Sequence, residues 1–521
     1  MIKKITFLRL CTLTATLIGA TAAHAQNAGS LDTTFGVGGK FVAAYYYDQQ
    51  TEDIAMQADG KIIAVGWTKA SSGSDYNFFI CRFTANGTMD TTFGPNGNGT
   101  ISVDIKGTNK FDVGRCVAVQ PDGKIIVAGT AGLQTDNSAS HAGFIRLNSD
   151  GTLDNSFGTA GKFSFPVGND TSNPYVFINE VQIQPDGKIV GIGRARNSST
   201  AYDYAIVRLN ADGTLDSDFS NDGKHTVDFG GPADEATHLK ILPDGKMLVA
   251  GNTSEDLGIV RLFDDGSVDN SYGTLGKLEI APGEGSYYLR GIAWQADGKI
   301  VTSGHTIGTS DIQLNRWNAD GTADTSFGTD GVTETDVDSG SDDQASKALL
   351  IQDDGKIIVL GRITTGSTSY FGVLRYTDAG ILDSTFSNDG QVLTTFGTAF
   401  SFATSGMLQP DGKLLVAGLY GYSFNWGAAI ARYHTTALLG IEESQRNDMV
   451  VYPNPASEVL MITGNGLESQ KFEIVDIAGK SVMQGVFSAD VTQQIQISGL
   501  PQGMYYLTVK SSGNTMPFVK K

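Results

Sequence analysis

Cysteine is scarce in this sequence, which excludes a fold held together by disulfide bonds. Only Cys11, Cys81 and Cys116 occur among 521 residues, whereas small disulfide-built domains are dense in cysteine. Cys81 stands at a strand position that equivalent segments fill with Ile, Val or Leu, so we interpret it as a small buried hydrophobic residue. The fold must therefore depend on an apolar core.

Positive charge and histidine are also in short supply. The chain has 37 Lys and Arg against 56 Asp and Glu, a formal net charge of −19. Nucleic acid is not expected as a partner, because phosphate binding needs clustered Lys and Arg. The 6 histidines show no zinc-site spacing, and the sequence has no nucleophile elbow or dinucleotide-binding glycine pattern. These motifs therefore predict no catalytic residue and no metal ligand, although a triad assembled across distant segments leaves no local motif.

Long apolar runs are absent except near the N-terminus. Lys3 and Lys4 precede an apolar stretch from Leu10 to Ala23, which ends in Ala23-His24-Ala25. This order of basic, apolar and small residues is typical of a secretory signal peptide, here residues 1–25. No later stretch is long and apolar enough to predict a transmembrane segment. We therefore expect an exported protein.

Glycine is plentiful, with 65 residues, and part of it lies in a recurring turn. The stretch from Gln120 to Gly129 places Pro-Asp-Gly-Lys between two apolar runs, a pattern typical of a β-hairpin, and we predict a type I′ turn. Spacings of 53 to 64 residues between the copies indicate a solenoid, an array or a propeller. The seven copies are Asp59–Lys61, Asp122–Lys124, Asp186–Lys188, Asp244–Lys246, Asp297–Lys299, Asp354–Lys356 and Asp411–Lys413.

Each repeat is predicted to contain four short strands. In the fourth repeat they cover about Lys224 to Phe229, a segment ending at Leu242, Lys246 to Gly251, and Gly258 to Phe263. Their β-branched and aromatic residues are typical of strands. Four strands in each of seven units predict an all-β, seven-bladed β-propeller.

Three further features recur along the repeats. A glycine stands five residues after each hairpin lysine and marks a bulge or a close backbone approach. An arginine near the end of the fourth strand is followed, in six repeats, by Asp-x-x-Phe or Asp-x-x-Tyr eight residues later. We interpret this aromatic box as a crossover between blades, with its ring at the blade interface. The glycines are Gly66, Gly129, Gly193, Gly251, Gly304, Gly361 and Gly418; the arginines are Arg82, Arg146, Arg208, Arg261, Arg316, Arg375 and Arg432; the boxes begin at Asp90, Asp154, Asp216, Asp269, Asp324 and Asp383.

The two ends of the repeat array are complementary. Arg432 has no aromatic box after it, whereas the box from Asp32 to Phe35 has no strand before it. An open solenoid would instead need capping repeats with a polar outer face. We therefore predict a closed ring in which Asp32, Phe35 and Arg432 complete the last junction.

The repeats resemble the delta-60 repeat family. The pattern consists of Gln-Pro-Asp-Gly-Lys-Ile followed by Arg-Leu-Asn-Ala-Asp-Gly-Thr-Leu-Asp-x-x-Phe, as at Arg208 to Phe219. Residues 26–435 would form the seven repeats. The resemblance implies a propeller-like fold and no particular activity.

The sequence changes character after the repeats. Residues 436–448 are interpreted as a linker, and residues 449–521 contain Tyr452-Pro453-Asn454-Pro455, an Asp-x-x-Gly-Lys centre at Asp476, a Gly-x-Tyr-x-Leu close at Gly503, and a basic end. Short alternating strands predict a small Ig-like β-sandwich. These motifs resemble the type A sorting domain of the type IX secretion system. The resemblance implies a Bacteroidota-type bacterium, passage through the periplasm, the secretion machinery as a partner, and a destination at the outer surface or in the medium.

One acidic loop offers oxygen ligands that a metal ion could use. Residues Asp336 to Asp343 offer enough oxygen atoms for Ca²⁺ but lack the spacing of an EF-hand. A solvated loop is the favoured interpretation, and Ca²⁺ remains an open possibility as a cofactor.

Strand alternation predicts one repetitive and one variable face. The Asp-Gly turns and aromatic boxes share one face, and loops of varying length share the other, as expected of a binding surface. Aromatic side chains on the variable face suit a sugar or a peptide. The candidate ligand-binding residues are Trp67, Tyr76, Tyr202, Tyr287, Tyr422 and Trp426.

The leading functional hypothesis is non-enzymatic binding of a glycan or a protein at or beyond the cell surface. An extracellular lyase or hydrolase is the first alternative, and it predicts His, Arg and acidic side chains clustered at the axis of one face. A purely structural surface protein is the second alternative, and it predicts no pocket.

Overall fold

The computed structural model describes most of two compact units, residues 26–437 and 438–521. The described residues are 27–42, 48–69, 75–107, 110–133, 139–170, 172–199, 201–254, 256–281, 287–306, 311–338, 343–397, 400–422, 425–436, 450–452, 454–463, 467, 469–476, 480–488, 492–509 and 515–521. The predicted signal peptide and almost all of the predicted linker lie outside them. None of the described residues forms a helix with the length and apolarity of a membrane span.

The first unit is built from short strands. In chain order they are β1 (Lys40–Val42), β2 (Asp48–Met56), β3 (Ile62–Lys69), β4 (Tyr76–Phe83), β5 (Thr100–Val103), β6 (Phe111–Val119), β7 (Ile125–Leu133), β8 (His141–Leu147), β9 (Lys162–Phe165), β10 (Val176–Ile183), β11 (Ile189–Asn197), β12 (Ala201–Leu209), β13 (Lys224–Val227), β14 (Asp234–Ile241), β15 (Met247–Thr253), β16 (Asp256–Leu262), β17 (Lys277–Ile280), β18 (Tyr287–Trp294), β19 (Ile300–Thr306), β20 (Ile312–Trp317), β21 (Val332–Thr335), β22 (Gln344–Ile351), β23 (Ile357–Thr365), β24 (Thr368–Tyr376), β25 (Gln391–Thr394), β26 (Phe400–Leu408), β27 (Leu414–Tyr422) and β28 (Asn425–Tyr433).

These strands form seven four-stranded antiparallel sheets, the blades of a β-propeller. Blade 1 contains β2 to β5, and the next five blades follow in groups of four up to β25. Blade 7 has the order β26, β27, β28 and β1, so its outermost strand comes from the N-terminus. Strands 2 and 3 of each blade are almost entirely buried, and hydrophobic clusters extend from one blade into the next.

The predicted assignment of strands to blades was shifted by one strand. Lys224–Val227 was expected to open the fourth blade, but it pairs with β12 as the outer strand of blade 3. The aromatic box at Asp216 therefore joins strands 3 and 4 of one blade and is not a crossover between blades. The reason is local hydrogen bonding: the Arg208 N–H donates to Gly223 O at 2.9 Å, and the Asp216 N–H donates to Arg208 O at 3.0 Å.

The predicted type I′ turn is also wrong. In the first hairpin the Gly60 N–H donates to Gln57 O at 2.9 Å, and only Gly60 has a positive φ, of 81°. None of the seven turn aspartates has a positive φ, as a type I′ turn would require. The geometry is that of a type I turn followed by a left-handed glycine. Proline at the second position, as in Pro121, favours this turn because its φ is fixed near −65°.

The arginine, the hairpin lysine and the aromatic box of each blade meet at one carboxylate. The arginine Nε lies 2.6–2.9 Å from the box aspartate Oδ2 in all seven blades. The lysine Nζ lies 2.9–3.3 Å from the same oxygen. The guanidinium also stacks over the box aromatic, 4.4–4.8 Å from the ring centroid.

The box aromatic packs against the next blade. Phe93, for example, fills the space that a side chain at Gly151 would need, since a Cβ there would lie 2.8 Å from the ring. Arg82 reaches the same segment, because its Nη1 donates to Ser149 O. One box thus joins two strands of its own blade and the following blade.

The N-terminal box closes the ring in this way. Arg432 Nε lies 2.8 Å from Asp32 Oδ2, and Phe35 is fully buried. Arg432 Nη1 donates to Ala85 O of blade 1 at 2.8 Å, and Phe35 packs against Gly87 of the same blade. Burial alone would raise the pKa of Asp32, but hydrogen bonds from Thr34 and the neighbouring cations hold it well below its ordinary value. The first and last blades therefore share one interface.

The second unit has two sheets. Its strands are β29 (Val450–Tyr452), β30 (Val459–Thr463), β31 (Lys471–Asp476), β32 (Ser481–Val486), β33 (Thr492–Gln496), β34 (Gly503–Val509) and β35 (Thr515–Lys520). One sheet has the order β29, β30 and β33, and the other has β32, β31, β34 and β35. Side chains of both sheets, such as Leu460 and Leu507, share one core. An Ig-like topology for this unit stays a prediction.

Both remaining cysteines are buried free thiols. Cys81 belongs to a hydrophobic cluster that spans blades 7 and 1, and Cys116 to one that spans blades 2 and 3. Burial raises the pKa of Cys81 to about 12 and that of Cys116 further. Neither thiol is therefore set up for thiolate chemistry.

We predict that Phe35→Ala lowers the free energy of unfolding by about 3–5 kcal/mol, because truncating a buried Phe leaves a cavity. Val37→Ala, at a side chain that is 87% exposed, is the matched control and should change it by less than about 0.5 kcal/mol. Urea titration measures both values. Hydrogen exchange should show blades 1 and 7 loosening together in Phe35→Ala. Equal stability of the two variants would show that this aromatic ring does not hold the closure.

Candidate functional site

The recurrent glycine in strand 2 is required by a bulge in strand 1 of the same blade. A Cβ at Gly66 would lie 1.8 Å from Gln50 O, and one at Gly193 would lie 1.9 Å from Phe177 O. Opposite each of these glycines the register of strand 1 shifts, for instance between Thr51 and Asp53. Only glycine allows this approach of the two backbones.

The bulges carry seven polar side chains to the propeller axis. The residue at the bulge always stands fourteen residues before the recurrent glycine. In blade 6 the bulge is longer, since residues 346–348 stand opposite one residue of β23. The seven bulge residues are Glu52, Arg115, Asn179, Thr237, Arg290, Lys347 and Thr404.

All seven side chains line one axial cavity with a volume of about 320 Å³. Other polar residues complete its wall, among them Gln50, Glu235, Asn252 and Gln344. The innermost strand of each blade is its first strand. The wall residues of these strands lie in the first half of each strand, next to the variable loops. The cavity therefore belongs to the variable face.

Two cations of the wall have no carboxylate within ion-pair distance among the described residues. Arg115 stacks on Phe177, with its guanidinium 4.6 Å from the ring centroid, and its buried Nε has no described acceptor. Within the described chain, Lys347 Nζ donates only to Arg115 O, at 3.3 Å. By contrast, Arg194 near the wall is paired with Glu235 at 3.0 Å. Arg115 and Lys347 are thus available to a negatively charged group.

The residue after the bulge contacts the innermost strand of the next blade. Asp53 Oδ2 accepts the Val117 N–H of the next blade at 3.1 Å, and Glu180 Oε2 accepts the Leu239 N–H at 2.8 Å. His238 takes the same position in blade 4, where its Nε2 lies 3.3 Å from Ile292 N. That nitrogen also lies 3.1 Å from Lys347 O, across the axis.

Confinement shifts the pKa values of these axial groups. Burial raises the pKa of Glu180 to about 7, against hydrogen bonds that favour the carboxylate. Burial lowers the pKa of His238 to about 4, so its ring is neutral at physiological pH. Burial also opposes the charge of Lys347, but Asp53 and other nearby negative charges outweigh it and raise its pKa. The axis therefore holds a charged lysine beside a carboxyl group that titrates near neutrality.

Trp67, Tyr76, Tyr202 and Trp426, four of the six aromatic residues predicted to bind ligand, lie around the variable face but not in the cavity wall. Trp67 and Tyr76 pack edge to face, with ring centroids 4.7 Å apart. Tyr202 packs on Tyr175 at 5.5 Å, and Trp426 packs on Phe400 at 4.7 Å.

Two predicted ligand-binding side chains lie outside the described residues. Tyr287 and Tyr422 are placed in β18 and β27 only by their backbone. Residues 339–342 of the acidic loop are also outside the described chain. Asp32, Phe35 and Arg432 lie together at the ring closure, on the face opposite the cavity.

Sequence reasoning missed the seven bulge residues, although a signal was present. The position eight residues before each hairpin glycine is polar in every repeat, but its residue type varies. The neighbouring positions carry the repeated apolar pattern. The rest of the repeat is regular, so a polar position whose residue type varies at a constant offset is not required for folding. Such a position indicates a binding surface.

The comparisons with known families agree with this architecture. Seven segments match the family described as "Domain of unknown function (DUF5122) beta-propeller": residues 57–93, 120–157, 184–219, 242–272, 295–327, 352–386 and 409–436. Residues 450–521 match "Secretion system C-terminal sorting domain". Seven segments of the chain thus match the DUF5122 β-propeller model, and its last 72 residues match a secretion sorting domain. This sorting domain indicates export to the cell surface or secretion. Each DUF5122 match begins at a hairpin turn and covers strands 2 and 3 of one blade, and the first six end at an aromatic box.

Solved structures resemble the chain only distantly. Virginiamycin B lyase of Staphylococcus aureus is 12% identical with a TM-score of 0.42, over 75% of this chain and 98% of that protein. PorZ, a surface component of the type IX secretion system of Porphyromonas gingivalis, is 13% identical with a TM-score of 0.37, over 89% of this chain and 58% of that protein. No curated protein matches. These likenesses carry no argument about the activity of the DUF5122 propeller.

We predict that Glu180 makes the stability of the propeller depend on pH. Its folded pKa of about 7 lies above the ordinary value of 4.5, so its stabilising contribution is complete below about pH 4.5 and is lost as the pH rises through 7. Glu180→Gln stays neutral and should lose less stability than the wild type between about pH 5 and about pH 8. Urea midpoints across this range measure the difference. Glu334→Gln, at an exposed carboxylate of β21, is the control, and a Glu180→Gln curve parallel to the wild type would contradict the assignment.

Proposed function

We propose that this protein is an exported, non-enzymatic binding protein whose axial cavity takes the acidic group of a glycan. The observation that carries the proposal is the pair of cations, Arg115 and Lys347, in a cavity to which all seven blades contribute. Polar groups at a pocket fix the orientation of a ligand and its specificity.

The rest of the wall favours a sugar over an apolar ligand. Gln50, Asn179, Thr237, Asn252 and Gln344 offer amide and hydroxyl groups, which match the hydroxyl groups of a saccharide. A guanidinium binds a carboxylate or a sulfate through two parallel hydrogen bonds. The volume of about 320 Å³ suits one or two sugar units rather than a folded partner. Aromatic residues at the rim, including Trp67, Tyr202 and Trp426, would contact the remainder of the chain.

Export brings this site to the outside of the cell. The sorting domain is proposed to be the type A kind that the type IX secretion system recognises, and the propeller to be its cargo. The delta-60 pattern is proposed to describe the same repeats as the DUF5122 match. A surface or secreted location gives the cavity access to extracellular glycans.

An extracellular lyase or hydrolase is the second candidate, and one observation favours it. Glu180, with a pKa of about 7, is suited to exchange a proton at neutral pH. Both of its oxygens already accept hydrogen bonds, from Gln182 Nε2 at 2.7 Å and from Leu239 N at 2.8 Å. His238 contacts backbone groups of two other blades. These groups thus support the inner strands, which makes binding the leading proposal.

We predict that deletion of residues 450–521 leaves a folded propeller in the periplasm, because the export signal is lost. Fractionation and a protease-resistance assay measure its location and folding. A reporter preceded by residues 1–25 and followed by residues 438–521 is the reciprocal control and should appear outside the cell. Normal secretion of the truncated protein would refute the sorting role.

We predict that Arg115→Met and Lys347→Met each weaken the binding of an acidic glycan by more than about tenfold, since each removes a charge-assisted hydrogen bond. A glycan array identifies the ligand, and calorimetry measures its affinity. Lys69→Met removes a positive charge on the same face outside the wall and should change the affinity little. Added salt should weaken binding to the wild type more than to the variants.

The remaining outcomes separate the alternatives. If Trp67→Ala, Tyr202→Ala and Trp426→Ala abolish binding while the cavity variants do not, the site is the aromatic rim. If the array shows no glycan but acidic peptides bind in a Lys347-dependent way, the ligand class is a protein segment. If Glu180→Gln stops turnover of a bound glycan without weakening its binding, the protein is an enzyme.

A further inference from the structure

Three aspartates between blades 3 and 4 form a cluster that the axial cavity does not use. Asp203 lies in β12, Asp228 follows β13, and Asp234 begins β14. β13 pairs with β12 up to Val227, so Asp228 continues the register opposite Asp203. A parallel bridge from Tyr202 brings the start of β14 alongside. Three separate backbone segments thus converge on one point.

The carboxylates meet at close range. One oxygen of each residue lies within 4.8 Å of the other two. Asp203 and Asp234 are 3% and 0% exposed. One oxygen of each has a protein donor: Asn197 Nδ2 donates to Asp203 Oδ2, and the Phe229 N–H donates to Asp234 Oδ2 at 2.7 Å.

The second oxygen of both buried aspartates has no partner. Asp203 Oδ1 and Asp234 Oδ1 are buried and accept no hydrogen bond from the described residues. Buried acceptors without a donor are rare and costly, and two at adjacent carboxylates are more so. A ligand that carries positive charge would remove this cost.

No protein cation fills this role among the described residues. Lys277 is close, but its Nζ donates to the main-chain oxygen of Asp228 and lies 5.1 Å from the centroid of the Phe229 ring. None of the three carboxylates has an ion pair within 4 Å in the described chain. Burial is the main cause that raises the pKa of Asp234 to about 6; the charges of Asp228 and Asp203 add to it, and Lys277 opposes it.

We propose that Asp203, Asp228 and Asp234 bind a divalent cation, with Ca²⁺ as the preferred ion. All three ligands are carboxylate oxygens, which suit a hard cation, and Ca²⁺ takes six to eight oxygens, so water would complete the shell. The site differs from the acidic loop at residues 336–343. It does not depend on the proposed glycan binding, although Asp234 directly precedes Glu235 of the cavity wall.

Calorimetry of the full mature chain with CaCl₂, after removal of metals with EDTA, tests the proposal. We expect one site with a dissociation constant of about 0.1–1 mM, as in other extracellular calcium modules. Thermal melting should show a rise in Tm with Ca²⁺ relative to EDTA. Asp203→Asn and Asp234→Asn should each weaken Ca²⁺ binding by at least about tenfold and abolish the rise in Tm.

The controls keep the test independent of folding. Asp218→Asn removes the same charge at an exposed position of the same blade and should bind Ca²⁺ like the wild type. In EDTA, Asp234→Asn should melt no lower than the wild type, because it removes a repulsion. A wild type that shows neither heat nor a Tm shift at about 10 mM Ca²⁺, or cluster variants that bind as the wild type does, would overturn the proposal and leave a shared proton as the neutralising species.

Discussion

A buried carboxylate that receives an arginine and a lysine is the contact on which the whole ring depends. In each blade the hairpin lysine and the arginine of the third strand meet at the box aspartate, and in six of the seven blades the arginine Nη1 also donates to a carbonyl group of the next blade. Removing one partner of such a buried pair leaves an uncompensated charge, which typically costs about 3–5 kcal/mol. The contact links one blade to the next around the ring, and residues 32–35 supply the copy that joins blade 7 to blade 1.

A second constraint separates the scaffold from the candidate site. The bulge in each inner strand needs glycine on the neighbouring strand, and it turns one side chain out of the sheet toward the axis. The backbone of the bulge is repeated seven times, but the side chain at its tip is free to vary. The repeated residues therefore form the ring and the opposite face, and the variable polar residues form the cavity.

Much of this architecture could be predicted because its causes are local. The Asp-Gly-Lys turns, the strand content and the number of repeats follow from short patterns, and the pairing of Arg432 with Asp32 follows from counting. The assignment of Lys224–Val227 to the fourth blade was wrong because nothing within a strand of four residues indicates which neighbouring strand it pairs with. The predicted turn type was wrong because Asp-Gly also fits a type I turn that is followed by a left-handed glycine. The aromatic residues of the rim could be recognised in the sequence. Arg115 and Lys347 could not, because a single polar residue in a strand does not indicate which residues of other blades surround it.

By itself the sequence determined the sorting domain, the sevenfold repeat and the residues that complete the ring, because each follows from short residue patterns or from their constant spacing. Only the tertiary structure decided which side chains share a space. Arg115 and Lys347 are 232 residues apart, yet the Lys347 Nζ reaches the main-chain oxygen of Arg115. Asp203 and Asp234 come from different blades and meet at a blade boundary. Such neighbours are set by the closure of the ring and the direction of each bulge, and neither has a signature within a single repeat.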